Sequence, residues 1–308
     1  MINRVLIRIK VLQMVFAYYQ KENNDLKMAE NELHLSLRKS YDLYFYLLQL
    51  IVELTFLHEQ RIDARKHKYL PSVADLNPNM RLVENRFAQQ LEKNEMLRRY
   101  AGQHSISWKN QKEFVIKILD MILDSDIYTD YLKNPKDSYA VDQEFWRLVF
   151  RNLICGNEEI EDALEDICIY WNDDVEIIET FVLKTIKRFN PENGSRQELM
   201  PMYKDSEDAD FVTRLFRNAI QHEDEYRERI NRHTKNWETE RIAGMDMVIM
   251  QVALSEILNF PKIPTKVTMN EYIDAAKYYS TPKSSFFING VLDAIVKELK
   301  NEKLILKD

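Results

Sequence analysis

The chain has 308 residues, 45% of them hydrophobic and 30% charged, with only 5 Gly and 8 Pro, the balance of an all-helical protein with an ample core. Its net charge of −7 argues against a broad nucleic-acid surface, because phosphate contacts need concentrated Lys and Arg. No apolar run approaches the roughly 20 residues of a membrane span, and two cysteines inside helical segments, Cys155 and Cys168, point to a reduced, cytoplasmic setting without a disulfide framework.

Asn3 to Gln20 reads as the first helix. Val5, Ile9, Leu12 and Phe16 give it a buried stripe, and Arg4 and Arg8 share an exposed edge one turn apart. The cations Arg4, Arg8 and Lys10 interrupt the apolar run, so it reads as a poor signal peptide. No acidic residue precedes Glu22, which makes this helix locally basic against the acidic mean. From Leu26 to about Lys66, Leu33, Leu37, Tyr41, Tyr44, Leu48, Ile51 and Thr55 recur at alternating spacings of four and three, the seam of a long coiled-coil-like helix. His67 to Met80, with Pro71 and Pro78, is a loop, and Arg81–Tyr100 and Trp108–Tyr131 read as two more helices.

An internal similarity follows at an offset of 66 residues, pairing Phe145, Phe150, Arg151, Asn152 and Ile154 with Phe211, Phe216, Arg217, Asn218 and Ile220, and Trp171 with Trp237. It is either a duplicated helix pair over 141–189 or chance likeness between amphipathic hairpins. Between the copies, Asn190 to Asp210 carries Pro191, Gly194, Pro201 and a run of acids, and reads as a linker.

The last quarter contains three helix-length segments. Met245, Ile249, Val252, Leu254 and Ile257 follow helical spacing with one wide apolar face. Pro261 and Pro264 end that segment. Thr268-Met269-Asn270-Glu271 has the form of a capping box launching Tyr272–Tyr279. Thr281-Pro282 starts a third helix, with Pro282 at its first position and Ile288, Val291, Leu292, Ile295 and Leu299 on its apolar face.

The stretch resembles the C-terminal subdomain of the NusB family of transcription antitermination factors. The residues that carry the resemblance are Trp237 with Glu240-Arg241-Ile242, Asp246, Ala253-Leu254-Ser255-Glu256, Ile263-Pro264-Thr265-Lys266-Val267, Asn270-Glu271-Tyr272-Ile273, Ala276-Lys277, and Phe287-Ile288-Asn289-Gly290-Val291-Leu292-Asp293. Upstream, Arg8, Gln13, Phe16 and Tyr18 match the family's opening helix, while Val5 and Leu6 fall where further basic residues are usual. The resemblance implies an all-α fold, a NusB-like bundle of two helical subdomains with an additional helical insertion. On that reading residues 1–22 are the first helix, 23–205 the insertion, 206–236 the rest of the N-terminal subdomain, and 237–308 the C-terminal subdomain.

The resemblance further implies binding of boxA-type single-stranded rRNA together with the NusE ribosomal small-subunit protein, and loading onto the RNA polymerase elongation complex. Arg4, Arg8 and Lys10 are then candidates for phosphates, and Gln13 and Tyr18 for bases, a solvated helix edge being the plain alternative. At the start of the last helix, Lys283, Phe287 and Asn289 are candidates for RNA; the alternatives are core packing for Phe287 and a structural hydrogen bond for Asn289. Glu240 and Asp246 are candidates for the protein partner. Reversing Arg8 to Glu is expected to weaken RNA binding without disturbing the fold.

No catalytic constellation is legible: the six histidines lack metal-ligand spacing, and there is no glycine-rich phosphate loop or nucleophile elbow. The expectation is a non-enzyme without cofactor or metal. Its rival is a helical protein-interaction scaffold that has lost RNA binding and uses the seam from Leu33 to Thr55; the thin N-terminal arginine set favours it.

Overall fold

The computed structural model describes residues 1–21, 25–234, 244–281 and 283–307. Among them the regular structure is helical, apart from one isolated parallel bridge between Ile2 and Tyr203. The chain divides into two compact units, one formed by Met1 and Arg38–Met202, the other by Ile2–Leu37 and Tyr203–Asp308. Helix α1 is Arg4–Gln20 and α2 is Leu26–Lys66; the division falls inside α2. Residues 26–37, placed by the sequence in the insertion, thus group with α1.

The first unit takes the rest of α2 and then α3 (Val73–Leu76), α4 (Arg86–Glu92), α5 (Glu95–His104), α6 (Lys112–Leu123), α7 (Asp126–Lys133), α8 (Tyr139–Val149), α9 (Glu158–Ile167) and α10 (Val175–Arg188). The stretches read as single helices over 81–100 and 108–131 are each broken. Asn94 accepts from the Leu97 amide at 2.9 Å, and Ser125 from the Tyr128 amide at 3.1 Å, so each caps a new helix. These short polar side chains offer the backbone a local partner that competes with helix continuation. After α8 the chain makes a π-helical turn at Phe150–Ile154.

The seam of α2 is core. Leu33, Leu37, Tyr44, Leu48 and Ile51 are fully buried and Tyr41 is 6% exposed. Leu43, Phe45, Leu47 and Leu50 are buried as well, so the middle of α2 is enclosed all round rather than along one stripe. The segment read as a linker is strapped down: Gln90 Nε2 donates to the carbonyls of Asn190 and Gly194, Asn94 Nδ2 to that of Gln197, and Tyr41 OH to that of Met200.

The second unit continues with α11 (Ser206–Gln221), α12 (Glu223–His233), α13 (Gly244–Asn259), α14 (Thr265–Tyr279) and α15 (Ser284–Asn301). Helix α13 is its axis and packs against α1, α11, α12, α14 and α15. It is buried around its circumference, from Val248 and Ile249 to Gln251 and Glu256, and not only on one face. Helix α1 packs on both α11 and α13. It therefore buries Leu6, Ile7, Val11, Leu12, Met14 and Val15, while Val5, expected inside, is 40% exposed.

Helix α14 begins at Thr265, after Pro264, rather than near Tyr272. Thr268 is no cap; its hydroxyl donates to Glu256 Oε1 at 2.8 Å inside the unit. Helix α15 begins at Ser284 with Lys283 at the cap position; Pro282 lies outside the described residues. Among the described residues no helix is long and apolar enough to cross a membrane.

Candidate nucleic-acid interface

The cations of α1 are turned inward. Arg8 is 5% exposed and makes a bidentate pair with Glu256, Nε to Oε2 at 2.8 Å and Nη2 to Oε1 at 2.7 Å, with Nη1 3.3 Å from Glu271. Thr268 and Tyr272 complete the shell of Glu256, the Tyr272 hydroxyl donating to Oε2 at 3.0 Å. Burial by itself lowers the basicity of Arg8, but the hydrogen bonds and charge of Glu256 outweigh it and hold the guanidinium above its ordinary pKa. Burial and Glu256 likewise push the Tyr272 hydroxyl well up. Arg8 is thus the centre of a buried network, not a residue on an exposed edge.

Lys10 is also buried. Arg4 is partly exposed, but Asp208 holds its Nε at 3.0 Å and its guanidinium lies over the Phe211 ring at 5.2 Å. Gln13 is half-buried, its amide 3.5 Å from the Tyr279 hydroxyl, and links α1 to α14. Tyr18 is half-buried and meets Tyr19 edge-on at 5.6 Å. Of the α1 candidates, Arg8 and Lys10 are thus buried, while Arg4, Gln13 and Tyr18 are partly enclosed.

The exposed candidates gather where α14 ends and α15 begins. Lys283 is exposed and has no ion-pair or hydrogen-bond partner for its side chain among the described residues. Asn289 is exposed and Phe287 half-buried. Two aromatic side chains that the sequence reading passed over stand out furthest: Tyr278, in the last turn of α14, and Phe286, in the first turn of α15, are each 82% exposed. Lys277 beside Tyr278 is exposed too and pairs with Asp274 at 2.6 Å.

Asp246 anchors this corner from inside. It is 5% exposed and accepts from the hydroxyls of Ser284, at 2.8 Å, and Ser280. Ser284 is 2.8 Å from the Thr281 hydroxyl. The carboxylate thus ties the start of α13 to the turn that presents Lys283 and Phe286. Glu240 lies outside the described residues.

The arrangement offers flat π-faces and, at a helix start, an ammonium unpaired among the described residues. Aromatic rings stack on unpaired bases, and a lysine and helix amides attract phosphate. In double-stranded nucleic acid the base faces are already stacked, so the geometry suits single strands.

Comparison with known proteins agrees with the resemblance read from the motifs. The NusB family model matches residues 175–297. The transcription antitermination protein NusB of Salinibacter ruber is 36% identical over 127 residues, which are 39% of this chain and 79% of that protein. The NusB proteins of Chloroherpeton thalassium and Koribacter versatilis are 40% and 39% identical over 32% and 30% of this chain, spanning 46% and 64% of their own lengths. Among solved structures, T. maritima NusB is 26% identical, covering 49% of this chain and 91% of its own, with a TM-score of 0.29.

Proposed function

This chain belongs to the NusB family, and we propose that it is a transcription antitermination factor that reads a boxA-type single-stranded RNA at the corner formed by α14 and α15. The observation that carries this reading is the pair of outward aromatic rings, Tyr278 and Phe286, set in sequence on either side of Lys283, whose side chain is unpaired among the described residues. Stacking contributes about 1–3 kcal/mol per base and does not need a strongly basic surface, which reconciles RNA recognition with a net charge of −7. Asn289 supplies an amide within the same helix start for a base edge.

The action is recognition without chemistry. One lysine and two rings give modest affinity, so a NusE-type ribosomal protein completes the site by adding contacts and ordering the RNA, and the assembly joins the elongating polymerase. The scaffold reading needs the seam of α2 at the surface, whereas Leu33, Leu37, Tyr44, Leu48 and Ile51 are fully buried.

The test is fluorescence anisotropy of a labelled boxA-type RNA titrated with the protein at low and moderate salt, with and without the NusE-type partner. Salt-sensitive binding tightened by the partner supports the proposal. Absence of binding to RNA under both conditions, with the partner folded, refutes it.

A further inference from the structure

The first unit carries a groove of about 310 Å³ between α2 and the segment that leads through α4. Val52, Thr55, Phe56 and Glu59 recur at three- and four-residue spacing, so they share one face of α2 and form one wall. Val83 and Ala88 supply apolar surface opposite. Phe56 is 50% exposed, an unusual place for a phenyl ring on a helix whose other aromatic side chains are largely enclosed.

The charge around that ring has one dominant sign. Glu53, Glu59 and Glu92 line the groove against one cation, Lys93. Glu92 is engaged by Arg98 at 3.4 Å, but Glu53 and Glu59 have no hydrogen bond or ion pair among the described residues. Uncompensated carboxylates repel phosphate, so this surface does not extend an RNA path. Beside an exposed phenyl ring they match a cationic chain carrying an apolar side chain, which meets both features at once.

We propose that this groove docks a cationic segment of a partner protein, with an apolar side chain packing on Phe56 and flanking Lys or Arg residues paired with Glu53 and Glu59. The first unit then acts as an adaptor, and its ligand differs in sign from that of the aromatic corner in the second unit. The inference is independent of RNA binding.

The test uses the full chain and three labelled peptides followed by anisotropy: one Trp flanked by Lys and Arg, the same peptide with Ala for Trp, and the Trp peptide with Glu for its basic residues. The basic Trp peptide is expected to bind, more weakly as salt is added. Phe56→Ala should weaken it about tenfold or more while leaving the Ala peptide unchanged, as for an anchor residue. Glu53→Gln with Glu59→Gln should remove most of the binding. Circular dichroism and thermal unfolding matched to the unaltered chain show that loss of binding is not loss of fold. Equal binding of the acidic peptide or of the Ala peptide, undiminished affinity in both sets of variants, or no binding by the basic Trp peptide overturns the proposal.

Discussion

Arg8 and Glu256, 248 positions apart in the chain, meet in a buried bidentate pair whose two N···O distances are 2.8 and 2.7 Å. Because α1 is enclosed by α11 and α13, a guanidinium here must find a carboxylate, and Glu256 on α13 provides it. Thr268 and Tyr272 then tie α14 to the same carboxylate. One network joins three helices.

The first prediction concerns that network. Arg8→Ala leaves Glu256 charged and unpaired, and should destabilise the protein by about 3–5 kcal/mol, the usual cost of breaking a buried pair from one side. Arg8→Glu should be worse, since it sets carboxylates against one another; the expectation that it spares the fold does not survive the burial of Arg8. Urea unfolding followed by circular dichroism checks this, and a loss below about 1 kcal/mol contradicts it.

A second prediction concerns Asp246. Asp246→Ala leaves the hydroxyls of Ser280 and Ser284 without their shared acceptor and should cost about 1–3 kcal/mol of stability. It should also weaken RNA binding by loosening the turn that carries Lys283 and Phe286. Asp246→Asn keeps an acceptor oxygen and should recover part of both losses. The paired readout, unfolding midpoint and RNA affinity, separates a positioning role from one in direct contact.

A third prediction is a pH profile of the first unit, where two buried groups oppose each other. Burial pushes His58 down to about 4, with the charges of Arg65 and Arg61 adding to it. The stability due to neutral His58 is complete above its unfolded pKa near 6.5 and is lost as pH falls toward 4. Burial, then the charge of Glu161, raises Glu179 to about 7. Its contribution is complete below its unfolded pKa near 4.5 and is lost as pH rises through 7. Each shift corresponds to on the order of 3 kcal/mol at most, so the two slopes largely cancel between them. Glu179→Gln should expose a loss of stability on acidification from pH 7 to 5, and His58→Phe the reverse tilt. The fluorescence of the buried Trp108, Trp146 and Trp171, all in this unit, reports its unfolding. Parallel pH profiles in both variants contradict the assignment.

Much of the helical framework was legible in the sequence because periodic apolar runs fix where helices lie: Leu26–Lys66 emerges as one helix of 41 residues, as its spacing indicates. Breaks at Asn94 and Ser125 were not, because a capping side chain interrupts the backbone while the apolar pattern runs on. The faces of α1 and α13 were misread for another reason. Each has neighbours on several sides, and a pattern that identifies one buried face says nothing about a second.

The candidate site shows the same limit at finer scale. Lys283 came from the helix start and Asn289 from the motif, but the outward rings are Tyr278 and Phe286, next to Tyr279 and Phe287. Adjacent identical side chains cannot be told apart by composition. Which one faces out depends on its phase relative to the buried positions of the helix, and each helical residue turns the face by about 100°. In α15 the buried positions Ile288, Val291 and Leu292 set the inner face, and Phe287, four residues before Val291, lies nearer to it than Phe286.

The most direct test of RNA recognition by this corner is the affinity of a labelled boxA-type RNA for the chain and for its Tyr278→Ala, Phe286→Ala double variant, measured across a salt series. Both rings are solvent-exposed, so the fold should be kept. The expected result is a loss of about 1–3 kcal/mol per stacked base, with the salt dependence, near −0.7 for each phosphate contact, preserved because Lys283 remains. Unchanged affinity in a folded double variant contradicts the account and moves the RNA to another face.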